Sequence, residues 1–456
     1  MRKILVIGSG KSSSYLIKYF LNKSEAENLH ITIGDININN AKKLIGNHKN
    51  ANAIVLDVFN DASRTEAIKN ADIVVSMLPA RFHIEVAKDC ITHYKNMVTA
   101  SYVSKEMQAL SDDAKAKGLI FMNEIGVDPG IDHMSAMQVI NKIKDEGGKM
   151  ILFESFTGGL VAPESDNNLW NYKFTWNPRN VVIAGQGGVA KFIQEGKYKY
   201  IPYHKMFRRT EFLAIKGYGK FEAMANRDSL KYREIYGLED IKTMYRGTIR
   251  RVGFTRAWNV FVQLGMTDDT FIMEGSEDMS YRDFTNSFLA YSLYDSVELK
   301  LRHYLKIDQD DILWDKLVEI NIFNPDKKVG LKDATPAQIL QKILMDSWTL
   351  NEDDKDMIVM YHKFGYELNG EEKQIESNMV VIGEDQIYTA MAKTVGLPVA
   401  IAALKILNGE IKTPGVQIPI RKEVYEPILK ELKNFGIHFK EIEVPYLGYN
   451  SFNRGA

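Results

Sequence analysis

Lys3-Ile4-Leu5-Val6-Ile7-Gly8-Ser9-Gly10-Lys11-Ser12-Ser13-Ser14 is the stretch whose reading decides the fold. A short apolar run closes on a glycine turn, and Tyr15, Leu16, Ile17, Tyr19 and Phe20 follow with a helical pattern. Strand, glycine turn and helix open a dinucleotide-binding unit. Gly8 makes the tight turn. Gly10 lets a pyrophosphate approach the backbone at the helix N-terminus, where free N–H groups and the helix dipole favour an anion. Ser13 stands where a third glycine is usual, so the motif alone also fits an ordinary strand-to-helix turn. Gly10-Lys11-Ser12 resembles the end of a P-loop, but that motif needs glycine five positions before Gly10, where Leu5 stands.

Working outward, the alternation continues. Ile31–Asp35, Ile54–Asp57, Ile73–Leu78, Met97–Ser101 and Leu119–Met122 read as further strands with helical stretches between them. Strands this apolar, separated by helices, indicate a parallel sheet covered on both faces. Ligands bind beyond the carboxyl ends of such strands. Those ends carry Gly8, Asp35, Asp57, Leu78-Pro79 and Ser101-Tyr102. An acid at the end of the second strand accepts hydrogen bonds from ribose hydroxyls and repels a 2′-phosphate, so Asp35 favours NAD over NADP. Its competitor is a solvated turn aspartate. Asp57 is a weaker candidate near the adenine, balanced against a plain turn acid.

Asn123-Glu124-Ile125-Gly126-Val127-Asp128-Pro129-Gly130-Ile131-Asp132-His133 follows the sixth strand. Pro129 fixes its own φ and biases Asp128 away from the helical region, while Gly126 and Gly130 admit conformations closed to other residues. The segment is expected to join the cofactor domain to a substrate domain and to line the cleft between them.

The totals exclude several classes. At 456 residues the chain needs two or three domains. A formal net charge of -1 gives no global support for nucleic acid as a partner. Cys90 is the single cysteine, which excludes an intramolecular disulfide and a cysteine-rich metal site. The N-terminus runs into a strand pattern without a signal-peptide cleavage region, and no apolar run is expected to span a membrane. A cytoplasmic location is the resulting expectation.

Beyond residue 133 the pattern changes. Met150–Thr157 reads as a strand broken by Gly158-Gly159-Leu160, and Tyr172–Trp176 and Glu211–Ile215 as further strands of a second sheet with antiparallel character. Arg227, Arg246, Arg250 and Arg251 fall within twenty-five residues in an almost neutral chain. Guanidinium forks bind carboxylates bidentately, so a polycarboxylate substrate would explain the cluster; solvated surface charge competes. Residues 255–348 read as helical, with Leu289, Leu293, Val297 and Leu301 as an apolar stripe and Thr335-Pro336 opening a later helix. Asp356–His362 and Ile375–Ile382 return to strand character, with His362 taken as a sheet-surface residue. Ile387–Leu407 reads as a helix interrupted at Gly396-Leu397-Pro398, and the tail as a terminal αβ unit docking on the first domain.

The expected fold class is therefore α/β: a Rossmann-type parallel-sheet cofactor domain over residues 1–128 and 385–456, an α+β substrate domain over 129–254 and 349–384, and a helical insert over 255–348. Glu124, Asp128, Asp132 and His133 invite a metal reading, but no second histidine lies at ligand spacing, so no metal is expected. No nucleophile elbow is present. Hydride transfer remains, with the cofactor supplying the chemistry and Asp128, Tyr102 and His133 as candidates for a proton path. A capping role for the following helix competes for His133.

Over essentially its whole length the chain resembles saccharopine dehydrogenases of the glutamate-forming type. The resemblance rests on Gly8-Ser9-Gly10, Val98–Tyr102, Asn123–His133, Gly158–Glu164, Tyr172–Trp176, Asn226–Ser229, Arg246–Arg250 and Ala390–Pro398. It implies a reversible reaction in which saccharopine, water and NAD(P)⁺ give L-glutamate, 2-aminoadipate 6-semialdehyde and NAD(P)H, a step of lysine metabolism. It implies substrate contacts from Ser101, Tyr102, Asp128, Arg227, Thr248, Ile249 and Arg250. Cofactor contacts are implied for Gly8, Gly10, Lys11, Ser12, Ser13, Asp35, Ile36, Asp57, Val58, Leu78, Pro79, Ser101 and Val127. NAD is the preferred cofactor and NADP the second choice. No nucleic acid or membrane partner is expected, and a homodimer is a candidate assembly.

Two departures from the family matter. Fungal relatives carry an arginine-containing sequence suited to NADPH where Asp35-Ile36-Asn37 stands, and relatives carry cysteine at the Thr157 position. Thr157 can donate a hydrogen bond but cannot supply a thiolate. The alternative readings are a reductive condensing enzyme of the carboxynorspermidine dehydrogenase type and a noncatalytic NAD-sensing protein.

Overall fold

A computed structural model describes residues 1–186 and 188–448. The chain divides into two compact units, Met1–Lys149 with Met379–Glu441, and Met150–Asn378 with Ile442–Ala456.

The first unit opens with β1 (Arg2–Ile7), α1 (Ser14–Lys23), β2 (Leu29–Asp35), α2 (Ile38–Ile45), β3 (Ala51–Val55), α3 (Asp61–Lys69) and β4 (Ile73–Ser76). It continues with α4 (His83–Thr92), β5 (Asn96–Val98), α5 (Lys105–Ala109), α6 (Ser111–Ala116), β6 (Ile120–Met122) and α7 (Ile131–Asp145). The strands lie side by side in the order β6-β5-β4-β1-β2-β3, all parallel. That is the doubly wound order expected of a dinucleotide-binding sheet. Ile4, Leu5, Val6 and Ile7 are at most 1% exposed. α1 buries Tyr15, Leu16, Ile17, Tyr19 and Phe20. Full burial stabilises by about 1.5–3 kcal/mol for side chains such as Leu, Ile and Phe, enough to hold a ten-residue helix that is marginal alone.

The second unit begins with β7 (Lys149–Val161), α8 (Pro178–Val182), β8 (Ala190–Gln194), β9 (Lys197–Ile201), α9 (Tyr203–Met206), β10 (Thr210–Ile215), β11 (Gly219–Ala225) and β12 (Thr243–Arg251). Then come α10 (Phe254–Leu264), α11 (Tyr281–Asn286), α12 (Val297–Leu305), α13 (Ile312–Glu319), α14 (Pro336–Trp348), β13 (Asp356–Leu368) and β14 (Glu371–Ile382). β10, β11 and β12 are antiparallel, whereas β12 and β7 run parallel. β7 does not break at its glycines. A Cβ on Gly158 would sit 2.5 Å from the Ile249 carbonyl oxygen, so glycine there lets two backbones approach inside a continuous strand.

Other expectations for this unit are corrected. Tyr172–Trp176 is not a strand; Phe174 makes an isolated bridge to Thr349. Leu289 and Leu293 lie outside any helix, and Leu293 is 73% exposed. The Ser292 hydroxyl accepts from the Tyr294 and Asp295 N–H groups, and Ser296 caps α12 at Leu299, so local turns outcompete the apolar spacing. His362 is fully buried, because β13 lies between β7 and β14 and its ring stacks on Phe153. The helices of 255–348 do not form a unit of their own. Trp170 stacks on Phe261 of α10 and meets Trp348 of α14 edge-on, and Tyr172 contacts both Phe254 and Trp348. One aromatic core serves helices and connecting segments alike.

The chain then returns through α15 (Ala390–Leu407), β15 (Gly415–Gln417), α16 (Lys422–Leu432) and β16 (Lys440–Pro445). β15 extends the first sheet beside β6, in parallel. β16 joins the second sheet beside β14, so the tail beyond residue 441 does not complete the first unit as expected. α15 is continuous through Gly396 and Pro398. A Cβ on Gly396 would lie 3.0 Å from the Leu16 nitrogen, so this glycine sets the close crossing of α15 on α1. α15 is also long and apolar enough to cross a membrane by length and composition, contrary to the expectation from the sequence, and 72% of it is buried within the protein.

The expected junction at residue 128 is displaced. The chain leaves the first unit after Lys149, because α7 packs against α16 and Asn141 donates to the Tyr425 hydroxyl at 3.0 Å. Asn123–His133 lies wholly within the first unit.

Candidate active site

The first unit gathers its candidates at the carboxyl ends of its strands. Gly8 has φ +104°, and a Cβ there would meet the Met77 carbonyl oxygen at 3.0 Å, so the turn after β1 requires glycine. A Cβ on Gly10 would face open space. That leaves the turn free to approach a pyrophosphate at the start of α1. Ser13 is buried and donates to the Gly8 carbonyl at 3.1 Å, replacing the usual third glycine with a hydrogen bond across the turn. Lys11 is exposed and Ser12 half-buried. Asp35 is already engaged: one carboxylate oxygen accepts from the Ser9 N–H and hydroxyl, each at 2.6 Å, and the other from the Asn37 N–H. Ile36, beside it, is 74% exposed, an apolar surface of the kind an adenine ring covers. Asp57 is exposed and caps its own turn at Phe59. Val58 is buried, Leu78 half-buried and Pro79 exposed. These residues fit a dinucleotide: a glycine turn open to phosphate, a carboxylate at the end of β2, and apolar surface beyond it.

Nearby, Asn123–His133 is buried throughout, except for Asp128. The Asp128–Pro129 peptide bond is cis. Gly126 and Gly130 press together so closely that a Cβ on Gly130 would lie 2.0 Å from the Gly126 oxygen. The loop thus turns its one partly exposed carboxylate outward, and the Tyr102 hydroxyl lies 3.5 Å from Asp128 Oδ1. Val127 is buried.

His133 is not at the surface of this arrangement. Its ring is fully buried within α7, 3.0 Å from Glu124 Oε2. Nor does it cap α7, whose N-cap is Gly130. Glu124 takes φ +54°, donates its N–H to the Ser101 carbonyl and accepts from the Val103 N–H at 2.9 Å. Glu124 and His133 therefore clamp the Ser101–Val103 segment that carries Tyr102. From the sequence, Glu124 stands out only as a metal candidate. Among the described residues no group of three or more acids, histidines or cysteines could hold a metal ion.

The second unit holds a different cluster. Arg246, Thr248 and Arg250 alternate onto one face of β12, and Thr248 pairs with Thr157 of β7. Arg250 is 7% exposed, lies over the rings of Tyr172 and Phe254, and spends one guanidinium N–H on the Ile249 carbonyl. Its Nε has no hydrogen-bond partner among the described residues, and neither have the buried hydroxyls of Thr157 and Thr175. Burial lowers the Arg250 pKa. Its cross-strand neighbour Glu222 does not pair with it, because the Glu222 carboxylate accepts from Gly253 and Thr255 at the start of α10. Ile249 turns its side chain to the opposite face. Arg227 is exposed with φ +51°, and Arg246 lies over the ring of Tyr232. Arg251 lies over Phe221 and donates to the Tyr218 carbonyl. Of the four arginines, Arg250 alone is buried, and its Nε is open.

The NADP-binding domain of saccharopine dehydrogenase matches residues 4–122, and its C-terminal domain matches residues 126–437. The chain belongs to the saccharopine dehydrogenase family. These are oxidoreductases acting on the CH–NH group of their donors. The chain is 32% identical to the saccharopine dehydrogenase [NADP(+), L-glutamate-forming] of Schizosaccharomyces pombe, over 97% of this chain and 99% of that one. It is 33% identical to the mitochondrial alpha-aminoadipic semialdehyde synthase of Rattus norvegicus, over 96% of this chain and 47% of the rat protein, so it spans about half the length of that relative. The apo saccharopine dehydrogenase (L-Glu forming) of Saccharomyces cerevisiae superposes with a TM-score of 0.88 at 30% identity, covering 97% of this chain and 100% of that one. The cofactor of this saccharopine dehydrogenase family member is a nicotinamide dinucleotide.

Proposed function

We propose that the chain catalyses the reversible oxidation of saccharopine, with water and an oxidised nicotinamide cofactor, to L-glutamate and 2-aminoadipate 6-semialdehyde. The observation that carries the substrate class is Arg250, a buried guanidinium whose Nε has no partner among the described residues. A buried charge without a carboxylate is costly, and the carboxylate of a ligand removes that cost. Saccharopine carries three carboxylates.

A bound nicotinamide cofactor would supply the hydride acceptor for the carbon beside the secondary nitrogen. The chain supplies the rest. Arg250, with Thr248 and Arg227 as further contacts, holds carboxylates. Asp128, the one partly exposed residue of its loop, takes the proton of the secondary ammonium before oxidation and helps activate the water that follows. Tyr102 is close enough to share a proton with it. His133 is assigned to the clamp that holds Tyr102 rather than to the proton path, because its ring is fully buried against Glu124.

For the cofactor, the names of the matching domain and of the fungal relatives point to NADP. Asp35 argues for NAD: a carboxylate at the end of β2 accepts from ribose hydroxyls and repels a 2′-phosphate. A cytoplasmic location goes with this reading and is checked by cell fractionation. The test of function is NADH or NADPH absorbance on mixing the protein with saccharopine and either oxidised cofactor. Cofactor binding without turnover would return the chain to a sensing role, and turnover with diamines in place of glutamate would favour a related condensing enzyme.

A further inference from the structure

His83 has no part in the chemistry above, yet it sits among the groups that do. It opens α4 and is 4% exposed. Its Nδ1 lies 2.8 Å from the Ser76 hydroxyl at the end of β4. Its Nε2 lies 2.7 Å from the Ser101 hydroxyl and 3.2 Å from that of Thr99, both just beyond β5. Thr99 Oγ1 in turn accepts from the Ser101 N–H at 3.3 Å.

We propose that His83 is a positioning residue that fixes the direction of the Ser101 hydroxyl, donating Nε2–H to Ser101 while Nδ1 accepts from Ser76. One N–H can be shared between two oxygens, whereas one in-plane lone pair serves two hydroxyl donors poorly. Nε2 faces two hydroxyls and Nδ1 faces one. With Nε2–H donating, Ser101 Oγ is an acceptor toward the protein and its own O–H points away, ready to donate to a ligand. In the other tautomer the O–H would be consumed by the ring and only lone pairs would face the ligand. Burial pushes the His83 imidazole down to about 4, so the ring stays neutral over the working range and one of its nitrogens is always an acceptor. The consequence for turnover rests on the function proposed above, in which Ser101 touches substrate and cofactor.

The test is a double-mutant cycle on the full chain. His83→Phe and Ser101→Ala should each lower kcat/KM for saccharopine by about tenfold, the scale of one hydrogen bond. The double variant should be no slower than Ser101→Ala alone. His83→Gln, whose amide can place an N–H near the Nε2 position, should restore most of the activity lost in His83→Phe. A structural role moves the double variant further down instead, and equal multiplication of the two losses overturns the proposal. Nitrogen-15 NMR of the histidine rings supplies a readout independent of turnover. The proposal requires a neutral Nε2–H tautomer down to pH 5 whose signal moves in Ser101→Ala; an Nδ1–H tautomer overturns it. Absence of saccharopine turnover in the unaltered protein would remove the proposed function, and the NMR result would still decide His83.

Discussion

Two clusters of polar groups, one in each unit, behave in opposite ways. In the first, Glu124, His133, His83, Ser76, Thr99 and Ser101 bond to one another, and each bond fixes a segment of backbone or a hydroxyl. In the second, Arg250, Thr157 and Thr175 are buried with polar atoms unsatisfied among the described residues. Native proteins leave few such groups, so each needs a reason. A closed network rigidifies what it surrounds; an open one carries a cost that a bound partner removes. The contrast separates residues that position from residues that bind.

The largest effect should come from the open cluster. Arg250→Met should reduce kcat/KM for saccharopine by about a hundredfold or more, since a charge-assisted bond to a carboxylate contributes about 1.5–3 kcal/mol and more when bidentate. Denaturant unfolding of the same variant should show unchanged or greater stability, because a buried unpaired charge has been removed. A strong loss of stability would place Arg250 with the structural residues. Asp128→Ala should lower kcat strongly while dinucleotide affinity, read by titration calorimetry, stays nearly intact.

The closed network should respond the other way. Glu124→Ala removes the partner of a fully buried imidazole and of the Val103 N–H, and should cost about 3 kcal/mol in urea unfolding. Its effect on kcat should follow through Tyr102, whose segment Glu124 holds. An unaltered unfolding midpoint would show that the network is not closed in solution.

Within that network, His83 predicts a pH dependence of stability. Its folded value, about 4, lies below the ordinary imidazole value of 6.5. The folded state then binds fewer protons than the unfolded one between those values. The contribution is fully present above pH 6.5 and is lost as pH falls toward 4, by up to about 3 kcal/mol. His83→Gln should flatten the stability profile over that interval, and a profile that keeps the same slope would contradict the burial argument. The smallest effect belongs to Asp35. Asp35→Ala should shift the ratio of NAD to NADP activity by about tenfold toward NADP, the scale of one hydrogen bond. An unchanged ratio would remove Asp35 from cofactor choice.

Much of the first unit was legible in the sequence. The apolar strands with helices between them mark a parallel sheet through local periodicity, and Gly8 and Gly10 mark the turn through backbone sterics. The constrained turn around Asp128 was legible for a similar reason, since Pro129 and the two glycines restrict its backbone. His83 was not. Its partners are seven to eighteen residues away, on β4 and beyond β5, and only the sheet order brings them together. A histidine opening a largely apolar helix was the one signal available. The second unit misled in both directions. Leu289 and Leu293 have helical spacing, but serine hydroxyls capture the backbone in turns. Gly158 looked like a strand break and is instead where β7 admits the backbone of β12.

What the sequence determined by itself was the alternation of strand and helix, the glycine turn and the list of polar residues beyond the strand ends, because these follow from contacts a few residues apart. The tertiary structure decided which of those polar residues are satisfied. Glu124 and His133 lie nine residues apart and bond to each other, whereas Glu222 stands opposite Arg250 on the adjacent strand and is drawn away to the first turn of α10. Hydrogen-bond satisfaction depends on geometry in space, which no spacing along the chain encodes, and it is that property that distinguishes a positioning residue from a binding one here.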